Sequence, residues 1–591
     1  MTEDTATRLT ELAKRRGFFF QSSEAYGGVS GFYVYGPEGA TLKENLEDAW
    51  RDRFVRREGH MEIEAPNVMP EPVFEASGHL DGFDDMIVEC PECGASHRAD
   101  HLVEDGTEIE EAESIAIEEI EDIIADNELV CPSCGTDLAG EPVEDFNLMF
   151  ETNIGPGSSS PGYLRPETAQ GIFVEFPRLK EYARGQLPFG VAQIGAAYRN
   201  EISPRKGLVR LREFAQAELE HFVDPESDEP PLSEVEDVEV TLYSEARQED
   251  PDGEPVETTV GEAVAEGIVG SDWVAYYLGV AQGWYERIGV DMDRFRFRQH
   301  RSGELAHYAA DCWDAEADTS APGADPDWIE ITGFAYRGDY DLSKHGEYAD
   351  DDFTIFEQYD DPITVERATV DPDMSYLGPE FGGDAGAVAD ALEDLAERDR
   401  SAFEGDEVTV EVEGEAYTVP VEKTGFAVEE VTEAGEHVTP HVVEPSFGVD
   451  RLVYTVLAHN LTRDDAGESG DDGGEGRTVL TLPPELAPTT VAVFPLMDKD
   501  GLGERAGEIA ERLRRAGFEV AEDASGSIGR RYRRQDEVGT PYCVTVDYDT
   551  LEDDTVTIRD RDTTTQARVA VGDLPGVVAD LQAGERTVDD L

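Results

Sequence analysis

The stretch that decides the fold reads Tyr198-Arg-Asn-Glu201, then a short loop, then Arg210-Leu-Arg-Glu-Phe214-Ala-Gln-Ala-Glu218. We expect a strand, a loop and a second strand, with Arg199 and Arg210 at opposite ends. The spacing of four residues from Arg210 to Phe214, and four more to Glu218, predicts that these side chains share one face of a strand. A guanidinium fork suits phosphate and an aromatic ring can stack on a base, so the pattern indicates a nucleotide site. A ladder of surface ion pairs is the alternative.

A second stretch, Glu444-Pro-Ser446-Phe-Gly448-Val-Asp-Arg451, is followed by the apolar run Leu452 to Ala458. Gly448 lets a ligand approach the backbone closely because it has no Cβ. Arg451 opens an apolar helix, so its side chain is expected to point from a buried base into a site. An ion pair at the start of that helix is the alternative interpretation.

Together these stretches resemble the second and third signature motifs of class II aminoacyl-tRNA synthetases. A helix predicted over 41–58, followed by a strand-like alternation over 61–64, resembles the first motif, which builds the dimer interface in that family. The resemblance implies an α+β fold, in which an antiparallel catalytic sheet with flanking helices and insertions precedes a C-terminal α/β anticodon-binding domain. It also implies a homodimer.

Further segments are similar to the glycine–tRNA ligases of the archaeal and eukaryotic type. They are Tyr163 to Phe173, Arg199 to Arg205, Glu218 to Pro225, His307-Tyr308, Asp311 to Asp314, Trp328 to Ile331 and Ser525 to Tyr532. This resemblance covers most of the chain outside its acidic stretches. It implies ATP-dependent attachment of glycine to tRNA(Gly) through a glycyl-adenylate, with release of AMP and pyrophosphate.

Two other functions stay open at this point. One is a class II ligase for another small amino acid, such as proline, threonine or serine. The other is a synthetase-derived accessory protein that binds nucleic acid without catalysis. Accessory proteins of that kind lose the arginines that bind phosphate. The presence of Arg199, Arg210 and Arg451 therefore argues against the accessory-protein interpretation.

The resemblance implies roles for the matching residues. Arg199 would hold the α-phosphate of ATP, and Arg210 and Arg451 the γ end, with catalysis resting on Arg199 and Arg451. Phe214 would stack on adenine near Glu201, and Glu330 would hold Mg²⁺. The implied ATP-binding set is Arg199, Asn200, Glu201, Val209, Arg210, Leu211, Arg212, Glu213, Phe214, Glu330, Ile331, Gly448, Val449, Asp450 and Arg451. The implied glycine-binding set is Arg98, Glu167, Phe214, Ala215, Gln216, Ala217, Glu218, Arg337, Glu444, Pro445, Ser446, Phe447 and Gly448.

Two cysteine pairs, Cys90-Pro-Glu-Cys93-Gly and Cys131-Pro-Ser-Cys134-Gly, have the spacing of metal-binding knuckle turns. Each turn presents two thiolates, and four thiolates form a closed tetrahedral site, so we predict a structural Zn²⁺. Free thiols are the alternative. Cys312 and Cys543 stand alone and are interpreted as small buried hydrophobic residues.

The 591 residues are too many for one core. We expect a catalytic domain over 1–461, with a four-cysteine insertion at 88–140 and an acidic insertion at 224–270. An acidic, Gly-rich linker at 462–478 and an anticodon-binding domain at 479–591 follow. Within that last domain the densest basic cluster is a candidate tRNA contact, with a solvated helix face as the alternative. The cluster comprises Arg530, Arg531, Arg533 and Arg534.

The charge of the chain is extreme, with 133 acidic and 47 basic residues and a formal net charge of −86. Its 25 Phe, 21 Tyr and 5 Trp occur in patterned segments, which favours a folded protein with an acidic surface over a disordered one. We interpret the surface as an adaptation to high salt, where the Debye length falls to about 3 Å. No apolar run approaches the roughly 18 residues of a membrane span, and the N-terminus is polar, so we expect no membrane contact and a cytoplasmic location.

Overall fold

The computed structural model describes residues 5–107, 109, 112, 115–156, 160–204, 207–303, 311–321, 324, 326–349, 351–412, 414–464 and 477–591. Arg205, His307, Tyr308 and most of the predicted linker at 462–478 lie outside these residues. The chain forms two compact units. The first comprises Met1–Ala183, Leu187–Phe353 and Thr439–Leu591, and the second comprises Arg184–Gln186 and Thr354–Val438.

The N-terminal segment contains the helix predicted over 41–58. It begins earlier, at Pro37, because a proline in the first turn lacks only an N–H that would be unpaired there. The helix continues past Trp50 as a π-helical turn over Arg51–Arg56, and the strand expected over 61–64 covers only Met61–Glu62. The elements are α1 Thr5–Arg16, β1 Phe19–Gln21, β2 Tyr33–Tyr35, α2 Pro37–Trp50, β3 Met61–Glu62, β4 Val68–Pro70, α3 Glu71–Ala76 and α4 His79–Gly82.

The four-cysteine insertion folds as a three-stranded antiparallel sheet with two helices, which we call the cysteine module. Its elements are β5 Asp84–Glu89, β6 Ser96–Arg98, α5 Ala99–Gly106, α6 Ile117–Asp126 and β7 Val143–Asn147. On the acidic helix α6, Ile120 and Ile124 are buried in a small core that includes Val88 and Val103. The module is therefore held by one apolar stripe beneath an acidic surface.

A nine-stranded sheet forms the centre of the first unit. Its strand order is β13-β12-β14-β15-β16-β21-β11-β10-β3, antiparallel except for the β12–β14 and β10–β3 pairs. The acidic stretch 224–270, expected to be an insertion, supplies the edge strands β12 and β13. The elements are β8 Phe150–Asn153, β9 Pro161–Leu164, α7 Gln170–Phe173, α8 Phe176–Tyr182, β10 Phe189–Tyr198, β11 Glu213–Val223, β12 Glu239–Tyr243, α9 Glu245–Gln248, β13 Val256–Thr259, α10 Val260–Ala265, α11 Asp272–Arg287, β14 Phe295–Gln299, β15 Asp311–Asp318, β16 Trp328–Gly338 and α12 Tyr340–Tyr348.

The second unit has its own core of buried apolar residues, including Leu377, Val388 and Leu392. It contains two antiparallel strand pairs, β17–β20 and β18–β19. Its elements are β17 Ile355–Thr369, α13 Met374–Phe381, α14 Ala385–Arg398, β18 Glu407–Val412, β19 Glu415–Pro420 and β20 Ala427–Val438. The sequence analysis did not separate this unit from the catalytic domain.

The last strand of the main sheet, β21 His441–Gly448, runs directly into α15 Val449–Asn460. The helices α2, α11 and α15 pack on one face of the sheet. There the ring of Phe447 lies 4.7 Å from that of Phe54 and 5.5 Å from that of Trp284. Burying one phenylalanine stabilises a fold by about 1.5–3 kcal/mol, so this aromatic cluster fixes which face of β21 is turned away from the core.

A short antiparallel pair, β22 Leu461–Asp464 and β23 Arg477–Leu480, precedes the C-terminal part of the chain. That part has a five-stranded mixed sheet with the order β25-β24-β26-β27-β28, as expected for a small α/β domain. Its elements are β24 Val491–Pro495, α16 Leu502–Arg515, β25 Val520–Glu522, α17 Ile528–Asp536, β26 Tyr542–Val546, α18 Tyr548–Asp553, β27 Thr555–Asp560, β28 Gln566–Ala570 and α19 Leu574–Gln582. None of the helices within the described ranges is long and apolar enough to cross a membrane.

Candidate active site

The predicted strand–loop–strand is present, because β10 ends at Tyr198 and pairs with β11, which begins at Glu213. Arg199 and Arg210 therefore both lie in the connecting loop. The prediction that Arg210 shares a strand face with Phe214 and Glu218 is wrong, since Arg210 precedes β11. Only Phe214 and Glu218 alternate onto the same face of that strand.

A cleft of about 160 Å³ opens on the sheet face opposite the aromatic core. Many residues singled out from the sequence meet there. They are Arg199, Glu201, Val209, Arg210, Leu211, Phe214, Ala215, Gln216, Glu330, Ser446, Gly448, Asp450 and Arg451. Leu208 and Gly333 also line the cleft and were not predicted, because neither belongs to a chemically recognisable pattern.

Arg199 lies between two aromatic rings at the entrance to this cleft. Its guanidinium carbon is 5.3 Å from the ring centre of Phe83 and 5.5 Å from that of Phe214, and its Nε donates to the carbonyl oxygen of Pro166 at 3.2 Å. Rings on both sides hold the cation in place through its attraction to their faces. The other donors of the fork have no hydrogen-bond partner among the described residues, so they can bind an anion.

Arg210 and Arg451 are each held by a carboxylate. Arg210 Nε donates to Glu201 at 2.6 Å, and Arg451 Nη1 donates to Glu330 at 2.9 Å. Partial desolvation in the cleft would raise the pKa of Glu330, but the charge of Arg451 holds that pKa below its usual value. The cleft therefore contains arginine side chains whose charges are already compensated.

Arg98 does not line the cleft but connects to it through Asp85. It lies at the end of β6 in the cysteine module and contacts Asp85 at 3.1 Å as well as Asp100. Asp85 in turn lies 4.0 Å from Arg210, and one of its oxygens is buried with no hydrogen-bond partner among the described residues. The cysteine module thus reaches the cleft through a chain of alternating charges.

The predicted acids Glu167, Glu218 and Glu444 lie next to the cleft. Of these three, Glu218 accepts the most hydrogen bonds. Its carboxylate accepts hydrogen bonds from the Ala169 amide at 2.6 Å, Ser446 Oγ at 2.6 Å and Gln216 Nε2 at 2.9 Å, and from the Thr168 hydroxyl. Four donors fix both oxygens in one orientation. Burial, with the nearby charge of Glu167, nevertheless raises the pKa of Glu218.

Glu444 lies beside Glu218 and is bound to Arg337, whose Nη1 donates to it at 2.8 Å. Arg337 also donates twice to Asp341, at 2.7 and 2.9 Å. Burial raises the pKa of Glu444 to about 7, with Arg337 opposing the rise and Glu218 adding to it. This acid therefore titrates near neutral pH.

Glu167 completes the acidic group and is held by residues that the sequence analysis missed. Gln170 Nε2 donates to it at 2.9 Å, and His79 Nε2 lies 3.7 Å away. Although burial raises the pKa of Glu167, the charges of His79 and Arg337 hold it below the usual value. His79 is distant in sequence from the recognisable motifs, and only the tertiary fold brings it here. Gln170 lies three residues after Glu167 within the segment 163–173, but its residue type alone gave no reason to assign it a role.

Other predicted residues do not present their side chains to the cleft. Ala217, Ile331, Phe447 and Val449 belong to the hydrophobic core, so only their backbones can face a ligand. Pro445 is also buried, and Glu213 lies outside the cleft. The backbone amide of Asn200 donates to the carbonyl oxygen of Leu148, and Arg212 Nε donates to the carbonyl oxygen of Glu201. For Ala217, Pro445 and Phe447 the alternation of β11 and β21 explains the exclusion, because every second residue of these strands is turned toward the core.

The four predicted cysteines come together in the cysteine module. Cys90 Sγ lies 3.5 Å from Cys134 Sγ, and Cys93 Sγ lies 3.7 Å from Cys131 Sγ. A tetrahedron with Zn–S bonds of about 2.3 Å has sulfur–sulfur edges of roughly 3.8 Å, so these spacings fit one zinc ion. His97 Nε2, at 3.2 Å from Cys131 Sγ, is placed to hydrogen-bond a ligand sulfur.

The basic cluster of the C-terminal domain divides into two kinds of arginine. Arg531 is buried and donates to the carbonyl oxygens of Ala524 at 2.7 Å and Gly526 at 2.9 Å, while Arg534 Nε donates to Asp523 at 2.7 Å. These two arginines hold the start of α17. Arg530 and Arg533 are exposed on the same helix.

Comparison with known proteins shows which family this architecture belongs to. Residues 159–250 match the family described as tRNA synthetase class II core domain (G, H, P, S and T), and residues 490–581 match the anticodon binding domain family. A crystal structure of prolyl-tRNA synthetase from Cryptosporidium parvum, complexed with L-proline and AMP, superposes with a TM-score of 0.51 at 11% identity. The match covers 99% of this chain and 80% of that one. Fold and matched domains define a class II aminoacyl-tRNA synthetase.

The chain is 49% identical to the glycine–tRNA ligase of Methanothrix thermoacetophila, with 98% of each chain covered. It is 46% identical to that of Pyrococcus horikoshii, again with 98% of each covered. For Methanocaldococcus jannaschii the identity is 42%, over 97% of this chain and 98% of the relative. The chain belongs to the glycine–tRNA ligase family.

Proposed function

We propose that the cleft carries out the reaction of this family, in which ATP and glycine form a glycyl-adenylate and the glycyl group passes to tRNA(Gly). The observation that carries the proposal is the continuity of one sheet face. Arg199, Phe214 and Arg451, the residues assigned to the nucleotide, line the cleft. Glu218 and Glu444, the acids assigned to the glycine ammonium, lie beside it on the adjacent strands β11 and β21. A nucleotide and an amino acid bound there would meet where the two groups of residues join.

In the first step, the glycine carboxylate attacks the α-phosphorus of ATP and pyrophosphate leaves. The attacking group is already an anion, so no general base is needed. Arg199 would stabilise the charge on the α-phosphate, and Arg210 and Arg451 the charge on the leaving pyrophosphate. Glu167, Glu218 and Glu444 would hold the ammonium, so that the carboxylate points at the phosphorus.

Oxygen ligands suit Mg²⁺, and Glu330 is the acid placed on the phosphate side of the cleft, with its side chain 49% exposed. Bound with ATP, Mg²⁺ would neutralise phosphate charge. For Zn²⁺ the ligands would be Cys90, Cys93, Cys131 and Cys134, and four thiolates leave no open position, so the role is structural.

The partners follow from the same assignment. We expect tRNA(Gly) to contact Arg530 and Arg533 on α17. We expect a homodimer built around the α2–β3 region, where β3 is an edge strand of the main sheet. A cytoplasmic location fits a translation enzyme whose described cysteines are all free thiols.

The test of this function is ATP–pyrophosphate exchange in multi-molar KCl with a panel of amino acids that includes glycine, alanine, serine, threonine and proline. Exchange with glycine alone supports the proposal. Exchange with another amino acid keeps the class and overturns the glycine assignment. No exchange in protein shown to be folded favours an accessory role without catalysis.

The glycine affinity should depend on pH because Glu444 has a pKa of about 7. Above that pH its carboxylate attracts the ammonium, and below it the neutral acid does not. We expect the KM for glycine to rise about tenfold as the pH falls from about 8 to about 6. Glu444→Gln should give a high KM with a flatter profile, and an unchanged profile in this variant would assign the titration elsewhere.

The acidic surface should make stability depend on salt. At low ionic strength the net charge of −86 repels itself, whereas concentrated KCl screens it. We expect the unfolding temperature to rise by at least about 10 °C between dilute buffer and multi-molar KCl. An uncharged osmolyte is the control. Equal stability in dilute buffer would refute adaptation to high salt.

A further inference from the structure

Glu220 is a buried acid next to the glycine pocket that the proposed mechanism leaves unused. It lies two residues after Glu218 on β11, and its side chain is 0% exposed. No donor among the described residues gives a hydrogen bond to either of its carboxylate oxygens. Buried polar groups are normally bonded, so this residue requires an explanation.

The neighbours of Glu220 are mostly acids. Strands β11 and β21 keep one register from Gln216 opposite Gly448 to Val223 opposite His441, and this register sets Glu220 opposite Glu444. On its other side the facing residue of β10 is the apolar Val191.

The charged groups that act on Glu220 are Glu218 on its own strand, Glu444 on β21, Arg337 on β16 and Asp341 on α12. Arg337 is the cation of this set, and it already donates to Asp341 and Glu444. A second negative charge beside Glu444, away from water, would be costly.

We infer that Glu220 keeps its proton in the working protein and donates a hydrogen bond to Glu444, and so positions the carboxylate that meets the glycine ammonium. The inference rests on the proposed glycine-binding role of Glu444. Glu220 is then a positioning residue, which acts through Glu444 without touching the substrate.

Electrostatics and strand geometry both support this assignment. Burial raises the pKa of Glu220 well above its usual value, and Glu444 adds to the rise. Facing side chains of an antiparallel pair have Cβ atoms about 4.5–5.5 Å apart, within reach of a carboxyl-to-carboxylate hydrogen bond. Kept neutral, Glu220 supplies a donor to the pocket without another charge.

The test compares Glu220→Gln with Glu220→Met by glycine-dependent exchange and thermal unfolding. Glutamine still donates a hydrogen bond, whereas methionine fills similar space without a donor. We expect Glu220→Met to raise the KM for glycine about tenfold, with a much smaller effect on the KM for ATP. Glu220→Gln should recover most of that loss. An unaltered KM for glycine in Glu220→Met would overturn the inference, and so would equal losses in both variants.

Infrared spectroscopy of substrate-free protein supplies a readout that does not depend on activity. Above a pH of about 8, where Glu444 is ionised, the wild-type protein should show a protonated carboxyl band that disappears in Glu220→Gln. If the difference spectrum contains no such band, Glu220 is ionised and the inference fails. Failure of the proposed function is seen separately, as wild-type protein that shows no exchange with glycine.

Discussion

Replacing Arg199 with alanine should reduce glycine-dependent ATP–pyrophosphate exchange about 10³-fold or more, because the cleft loses the cation assigned to the α-phosphate. Arg199 sits between the rings of Phe83 and Phe214 and is not part of the hydrophobic core, so the folded structure should survive the change. The measurement is kcat/KM for ATP, with the unfolding temperature recorded for the same preparation.

Two further variants test whether the loss of exchange is specific to the guanidinium group of Arg199. Arg199→Lys keeps the charge but loses the planar fork, so an intermediate loss is expected. Arg178→Ala removes an exposed arginine on α8 that contacts Glu181 at 2.7 Å, and it should leave exchange as it is. A loss of less than about tenfold in Arg199→Ala would mean that adenylation does not depend on this cleft as proposed.

Replacing Cys90 with alanine should abolish stoichiometric zinc binding and unfold the cysteine module. Three thiolates leave the ion with an open position, and structural zinc commonly contributes on the order of 10 kcal/mol to folding such a module. The small apolar core around Ile120 and Val103 is a weak substitute for that contribution. Zinc content per chain and limited proteolysis within residues 84–147 measure the effect.

This variant should also raise the KM for ATP, because Arg98 and Asp85 connect the module to Arg210. Cys543→Ala is the matched control, since Cys543 is buried in the C-terminal domain and should not alter zinc content. Wild-type protein that contains no zinc, and whose module resists proteolysis in a strong chelator, would refute the assignment.

The sequence identified those residues of the candidate site whose chemistry can be recognised within one short motif. The motif arginines and Phe214 meet in one cleft, and the acids Glu218 and Glu444 lie beside it. Their roles toward ATP and glycine stay predictions. Arg210 was wrongly assigned to a strand because residue spacing alone cannot locate where a loop ends. Phe447 and Ala217 were included in the predicted glycine-binding set because they adjoin Ser446 and Glu218 in sequence. Strand alternation turns both side chains toward the core.

The parts that were missed depend on contacts between distant segments. His79 reaches Glu167 only because segments that are distant in sequence pack together. The stretch 224–270 looked like an insertion because of its acidity, yet it forms β12 and β13 of the main sheet. In a chain this acidic, composition no longer distinguishes a solvated insertion from the exposed side of a core element. The unit at 354–438 has no compositional break to mark it.

The ion pairs within the cleft imply that ATP, bound there as proposed, would take over two arginines from their carboxylate partners. An arginine exposed to solvent gathers mobile anions from the salt, and a phosphate ligand must displace them, which weakens binding as salt rises. Arg210 and Arg451 instead carry their counterions as fixed side chains, Glu201 and Glu330. If ATP binds here as proposed, we expect few mobile ions to be released, so that nucleotide affinity should depend only weakly on the ionic strength of the medium.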